Sequence, residues 1–543
     1  MTNGNEIDEK PENKFKSYII TSAQGIQAPY SARMYGEDSS KGKPNFSLIK
    51  NIEHYRDKNN AELQICAIPG SYINEIELDE FFHKRDDVYV EKNAKQRNEQ
   101  NKKREKRKRE EWRIAKKAAE EAGRVFLREF PMHYFWEEIP DTDYKTTGKR
   151  LNSNVKIIAI PEPSQNKDPL SGKQVFTQDH GGTSIVIPNP KQRFLPVASG
   201  QAGKYPKLMM TTGSCTLPNY NTTNRQGFLA ERAHTPGFVV IDVIDEKIFL
   251  PRVVPAQKNG TFIDSGIKYS EENQPEKAKT IAIKFGDSHV SEMNPKVHQA
   301  NIEQLKWFQP KYAHFGDVFS ARSINVHELD SEIDRANKSA AGIRSLEKEL
   351  VMTGEYIQEN AKIAKEFGGE IYIDYSNHDD MLFRWLTKGQ YKNDDENRLI
   401  AYKILGEGIN RYNTLEKAIK KFVEIPENVV FLKPGEDRIY WGYQFAAHGH
   451  LGKNGARGSL KSLMEGYGKV VMGHVHQIEI NSGSISVGTS SNIPLEYQLG
   501  QPSTSMAGNA VLYDGGLLQA IPIIKAHWKK EDFASYLLEN TKE

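Results

Sequence analysis

The sequence predicts a mixed α/β protein, and three observations carry that prediction. Residues 16–68 run in the order strand, helix, strand. Residues 150–275 are rich in Pro, Gly, Asn and Thr and hold short apolar runs of strand character. Beyond Lys279, apolar strands repeatedly run into short loops that carry Asp, His or Asn. At 543 residues the chain is too long for one ordinary core, and a guide of about 150 residues per domain suggests roughly two to four units.

The elements follow in order. Ser17–Thr21 reads as a strand, Phe46–Tyr55 as a helix and Leu63–Ile68 as a strand closed by Pro69-Gly70, giving a small α/β unit over 1–90 without a glycine-rich phosphate loop. Over 91–149 the composition turns to Lys, Arg, Glu, Gln and Ala, which favours a long exposed helix. Seven of the eight residues Lys102–Arg109 are basic (Lys102, Lys103, Arg104, Lys106, Arg107, Lys108, Arg109). Such a run can contact a phosphate backbone through counterion release; a solvated helix laced with Glu–Lys pairs, or a spacer, would look the same. Residues 150–276 form a β-rich domain with strands in Val155–Ile160 and Thr183–Ile187, and a hairpin in Gly237–Ile244 and Lys247–Val254. Glu271–Lys279 reads as a linker, 277–526 as the domain that carries the chemistry, and 527–543 as a short polar helix or tail.

Bulk numbers exclude several classes. The hydrophobic fraction is 37%, the charged fraction 27% and the mean hydropathy -0.67, values of a soluble protein. No apolar run approaches the length of about 18 residues that a membrane span needs, and Met1–Phe15 is polar, so a cytoplasmic location without membrane contact is expected. The two cysteines, Cys66 and Cys215, exclude a disulfide framework or a cysteine-rich zinc module. A net charge of +2 means that any footprint for DNA must be local.

Five strand ends carry the chemistry: Asp287-Ser-His289, Gly316-Asp317, Asn377-His378-Asp379, His448-Gly-His450 and Gly473-His474-Val-His476. Residues i and i+2 of an extended chain point the same way, so Asp287 and His289, or His474 and His476, can grip one ion. Two divalent ions about 3.5 to 4 Å apart need a bridging carboxylate, for which Asp317 is the natural candidate. Mixed nitrogen and oxygen donors suit Mn, Fe, Zn or Co better than Ca. Nine of the fifteen histidines lie between 281 and 480, and a structural role alone gives no reason for so many at strand ends.

The order D-x-H, G-D, N-H-D, H-G, G-H-x-H resembles the calcineurin-like metallophosphoesterase superfamily, with all five motifs in order over about 190 residues. The resemblance implies a catalytic β-sandwich flanked by helices. It implies one ion on Asp287, His289, Asp317 and His476, and another on Asp317, Asn377, His448 and His474, with His378 facing the substrate and Asp379 orienting it. The two divalent ions would be manganese first, with iron, zinc or magnesium as alternatives. His450 is a candidate for a supporting place beside the ligands, His314 for the core, and His298 and His327 for the surface. Two departures stand out: Ser376 replaces the glycine expected before Asn377, and a charged helical stretch at 328–366 lengthens the gap between the second and third motifs. The role of the turn Ser486-Val-Gly-Thr-Ser490 is open.

Protein phosphatases of this superfamily carry a glycine after D-x-H, an arginine–glycine pair after the second motif, and N-H-E. Val290, the run Val318–Ala321 and Asp379 stand at those places. The N-H-D form resembles the repair and phage nucleases, and the layout is similar to the pre-early DNA-degrading nucleases of T-five-type coliphages. DNA is therefore the expected partner, with degradation of host DNA the implied role. Self-association is open, since the basic helix could serve assembly as readily as DNA contact. A small-molecule or cyclic-nucleotide phosphodiesterase is the alternative; a non-catalytic DNA-binding scaffold is disfavoured because every ligand position is intact.

Overall fold

The computed structural model describes residues 15–24, 45–67, 148–158, 168–178, 182–198, 205–218, 220, 225–270, 273–325, 331–495 and 498–540. The basic run Lys102–Arg109 and His327 lie outside them. Among the described residues, no helix is long and apolar enough to cross a membrane.

The fold is mixed α/β, with four sheets among the described residues. In the first, Lys16–Ala23 pairs in parallel with Ala61–Ala67, the connection being the helix Phe46–Asn59. Asn45 starts that helix by accepting from the Leu48 amide, and Leu48, Ile49, Ile52 and Tyr55 bury one face. The hairpin expected from the sequence is present as Gly237–Val243 and Phe249–Pro255, and its first strand pairs antiparallel with Lys16–Ala23. Strand pairing thus joins residues from either side of the expected bounds at 90 and 150.

Two larger sheets position the site. One has six strands, in the order Val429–Phe431, Glu370–Ile373, Tyr312–Phe315, Thr280–Lys284, Ala507–Tyr513, Leu518–Ile523; the first four are parallel. The other has ten and runs from Ile439–Tyr440 through Lys469–Met472 and Glu479–Asn481 to Arg193–Val197 and Lys149–Asn152. Alternation along Thr280–Lys284 sends Ala282 into a core shared with Val471, Ile485 and Phe194 of the ten-stranded sheet. It sends Ile283 to the opposite face, against Leu305, Leu350 and Ile357 of the helices Pro295–Phe308 and Leu346–Lys365. The result is helices on sheet on sheet.

Two sequence expectations are corrected. The linker at Glu271–Lys279 contains the strand Asn273–Lys277, paired antiparallel with Ile267–Ser270 in a three-stranded sheet. As an edge strand it has polar side chains on both faces, so no apolar alternation marks it. The C-terminal segment is docked: Phe533, in the helix Phe533–Asn540, is fully buried with Ile244, Leu250 and Ile524.

Candidate metal centre

The four parallel strands of the six-stranded sheet end at one edge, and three of the five motifs follow them directly. After Thr280–Lys284, the Asp287 amide donates to the Gly488 carbonyl (3.0 Å), and the Asp287 carbonyl accepts from the Ser490 amide (2.8 Å) and the Thr489 hydroxyl (3.0 Å). The turn Ser486–Ser490 therefore clamps the first ligand candidate from behind. Beside it, the Ser288 amide donates to the Gly316 carbonyl (3.0 Å) and the His289 amide to the Asp317 carbonyl (2.7 Å), laying the first two motifs side by side.

Asp287, His289, Asp317 and His476 form one buried group able to hold a metal ion, and Asp317, His448 and His474 form another, each with its ligand atoms within 4.8 Å of one another. The closest approaches are His289 Nε2 to His476 Nε2 at 3.1 Å, His448 Nε2 to Asp317 Oδ2 at 3.2 Å, His476 Nε2 to Asp287 Oδ2 at 3.3 Å and His289 Nε2 to Asp317 Oδ2 at 3.5 Å. Two ligands of one ion with bonds of about 2.1 Å stand about 3.0 to 3.4 Å apart, so the donor set fits a cation. Asp287 Oδ1, Asp317 Oδ1 and Asn377 Oδ1 are buried without a hydrogen bond. Buried oxygens rarely go unsatisfied, and an ion would supply their missing partner.

The chain accepts backbone strain to build this arrangement. His289 (φ 41°), Asp317 (43°), His474 (70°) and His476 (55°) are all left-handed, a conformation costing on the order of 1 kcal/mol each for a residue with a Cβ. Two glycines are required by close approach. A Cβ on Gly316 would stand 2.9 Å from His448 Nδ1, and one on Gly473 would stand 2.2 Å from Asp287 Oδ1.

Electrostatics prepare the donors. Burial opposes ionisation of Asp317, yet His448 and His378 hold its carboxyl well below the ordinary range. Burial likewise opposes the charge on Asp287, which His448 and His476 nevertheless keep low. Burial pushes His289 down to about 3 and His474 down to about 4, leaving neutral imidazoles suited to ligation. At His448 the pull of burial is overcome by Asp317 and Asp287, which raise it to about 9.

The chain is similar to Protein A1 of Escherichia phage T5. The two are 26% identical over 318 residues, which is 55% of this chain and 56% of the relative. The chain thus matches over about half the length of that curated relative. No family model matches, and no solved structure matches.

His378 lies beside both groups and belongs to neither: its Nε2 is 3.9 Å from Asp317 Oδ2. The sequence expectation that Asp379 orients it is corrected. His378 Nδ1 donates to the Ser320 carbonyl (2.9 Å), whereas Asp379 Oδ2 accepts from the Ser376 amide (3.0 Å) and hydroxyl (2.8 Å). Ser376 and Asp379 are the N-cap and third residue of the helix Asn377–Thr387, in a capping box. Burial raises Asp379 to about 6. The S-x-x-D spacing signalled this cap, and it accounts for serine where glycine was expected.

Sequence reasoning missed Ser320 and Glu349. The Glu349 carboxylate, in the helix Leu346–Lys365, accepts from the amides of Arg322 (3.0 Å) and Ser323 (2.9 Å), fixing the loop from which Ser320 reaches His378. His450 packs near His448 and His474 and on Tyr375, with ring centroids 5.6, 6.4 and 6.2 Å away, and both its ring nitrogens are buried without a hydrogen bond. His298 pairs with Glu359 at the surface (2.8 Å). His314 is fully buried in its strand.

Proposed function

We propose that the chain is a metal-dependent deoxyribonuclease that hydrolyses phosphodiester bonds at a two-ion centre, acting on host DNA early in phage infection. The observation that carries this reading is the meeting of two ligand groups at Asp317, one buried and one partly buried at His474, with His378 beside them and outside both. Asn377, whose Oδ1 has no hydrogen bond, completes the second group. When bound, a pair of divalent ions, manganese first, supplies an activated water and neutralises charge on the phosphate.

The chain's own residues do the rest. Asp317 and Asp287 stay ionised in a buried place and hold the cationic charge there. With Nδ1 tied to the Ser320 carbonyl, His378 presents Nε2 to the substrate side, where a proton on it can pass to the leaving oxygen. The Ser320 carbonyl fixes the ring orientation: the donating form is the imidazolium, protonated at both nitrogens, and release of the Nε2 proton leaves the neutral Nδ1–H tautomer that this carbonyl accepts from.

DNA as substrate is supported by the N-H-D form of the third motif and by similarity to a phage protein. The basic run Lys102–Arg109 would add backbone contacts whose strength falls with salt. The test is cleavage of supercoiled and linear duplex DNA by the purified chain with Mn, Mg, Zn or chelator, beside His378→Ala and Asp317→Ala. Metal-dependent cutting lost in both variants is expected. Intact DNA together with hydrolysis of a chromogenic phosphodiester would overturn the DNA reading in favour of a small-molecule phosphodiesterase.

A further inference from the structure

Beneath the metal centre lies a second polar layer. Lys284 has no solvent exposure, and its ammonium donates to Asp374 Oδ2 (2.5 Å), the Phe445 carbonyl (2.7 Å) and the Ala447 carbonyl (3.2 Å). All three ammonium hydrogens are therefore used. The other oxygen of Asp374 accepts from His314 Nδ1 (2.8 Å), and His314 Nε2 lies 3.2 Å from the Tyr440 hydroxyl. Burying such charges costs several kcal/mol per ion unless geometry and hydrogen bonding compensate.

The positions of these groups share one offset. Lys284 stands three residues before Asp287, His314 three before Asp317, Asp374 three before Asn377, and Phe445 three before His448. Three of these stretches follow neighbouring parallel strands of the six-stranded sheet; the fourth, carrying Phe445, Ala447 and His448, lies outside any strand. Two further backbone ties reach the His448 stretch, from the Phe445 amide to the Arg438 carbonyl (2.8 Å) and from the Gly473 amide to the His448 carbonyl (2.8 Å).

We infer that Lys284, paired with Asp374 and backed by His314, is a positioning residue that sets His448 against Asp317 and Asn377 and so fixes one of the two ion sites. The inference rests on the reading of His448 as a ligand. Lys284 touches neither ion nor substrate in this role. It holds the irregular stretch 445–447 to the strand ends; without it His448 keeps its Gly473 tie but loses the side-chain anchor that sets it against Asp317, while Asp287, His289 and His476 keep their own supports.

The experiment is Mn(II) titration of the full chain, followed by the electron-paramagnetic signal of free Mn(II) and by calorimetry. The expected result is two sites in the wild type and, in Lys284→Met, one site weakened at least tenfold with the other within twofold. The double variant Lys284→Met/Asp374→Asn removes the charge pair together, keeping a polar partner for His314. It should melt near the wild type and still show the weak site. In a His448→Ala background, Lys284→Met should change the same site less than twofold further. Both sites at wild-type strength in Lys284→Met, equal weakening of both, or recovery of both in the double variant would overturn the positioning role while leaving the two-ion reading intact. A wild type that binds fewer than two Mn(II) ions would overturn the two-ion reading and this inference with it.

Discussion

Gly473→Ala isolates one contact. The φ of Gly473 lies outside the left-handed range, so an alanine there carries no backbone strain; its Cβ, however, would stand 2.2 Å from Asp287 Oδ1 and 3.1 Å from Cγ. A close carbon–oxygen contact is about 3.3 Å, so the carboxylate or the loop must give by about 1 Å. Asp287 is gripped from behind by the 488–490 turn, and its Oδ2 accepts the His474 amide at 2.5 Å, which leaves little room to give. A displacement of about 1 Å at a reacting centre costs on the order of 100-fold in rate, and overpacking of this kind costs about 1–3 kcal/mol in stability. The assay is steady-state DNA cleavage together with Mn(II) titration. A fall of about 100-fold in kcat/KM with weakened binding at the Asp287 site is expected. Gly466→Ala is the control: it lies seven residues earlier in the helix Leu460–Tyr467, with nothing within 4 Å of the added carbon. It should stabilise by about 0.5–1 kcal/mol and leave the rate alone. Wild-type cleavage and metal binding in Gly473→Ala would refute the steric argument.

Three further outcomes are expected. His378→Ala should slow cleavage by about 100- to 10,000-fold while Mn(II) titration stays unchanged, because its ring holds a proton and no ion; loss of metal binding would instead make it a ligand. The affinity of the metal-free chain for Mn(II) should rise about tenfold per pH unit between pH 7 and 8.5, with proton release in calorimetry. His448, raised to about 9, is protonated there and must lose that proton to ligate, and a flat pH profile would contradict this. For Asp379, raised to about 6 in the folded chain, the carboxylate is disfavoured by folding once the pH exceeds its ordinary value of 3.8, and this penalty is fully present above about 6. Asp379→Asn should thus gain stability relative to the wild type as pH rises from 4 to 7 in chelator, seen as a changing difference in Tm; a constant difference would argue against burial as the cause.

The loops of the candidate metal centre were legible because a short apolar strand followed by D-x-H or G-H-x-H is written in adjacent residues, and Ala282 and Ile283 alternate as a two-sided strand must. The hairpin of Gly237–Pro255 was legible for the same reason. What sequence hid is pairing over long separations: Lys16–Ala23 against Gly237–Val243, and Ile480 against Phe194, leave no local period. Asp379 was given to its neighbour His378 although S-x-x-D announced a helix cap, since a carboxylate next to a histidine invites pairing while the peptide geometry turns it back to Ser376. The carbonyl that does orient His378 belongs to Ser320, and no residue type encodes a backbone oxygen. The Lys284 layer was invisible for another reason: a lysine inside a strand reads as an edge or surface residue until its partners are known.

The junction of Glu479–Asn481 with Arg193–Val197 carries a consequence for how the chain comes to be folded. Arg193 reaches across it to Glu479 (3.2 Å) and the Ile480 carbonyl (2.9 Å). Residues 277–540 produced alone would leave the rim of Glu479–Asn481 bare, and an uncovered strand rim templates aggregation. Nearly three hundred residues separate the two partners, 286 for Arg193 and Glu479, so ring closure of this kind is slow and comes late. During synthesis Arg193–Val197 stays unpaired on that side until Glu479–Asn481 has emerged.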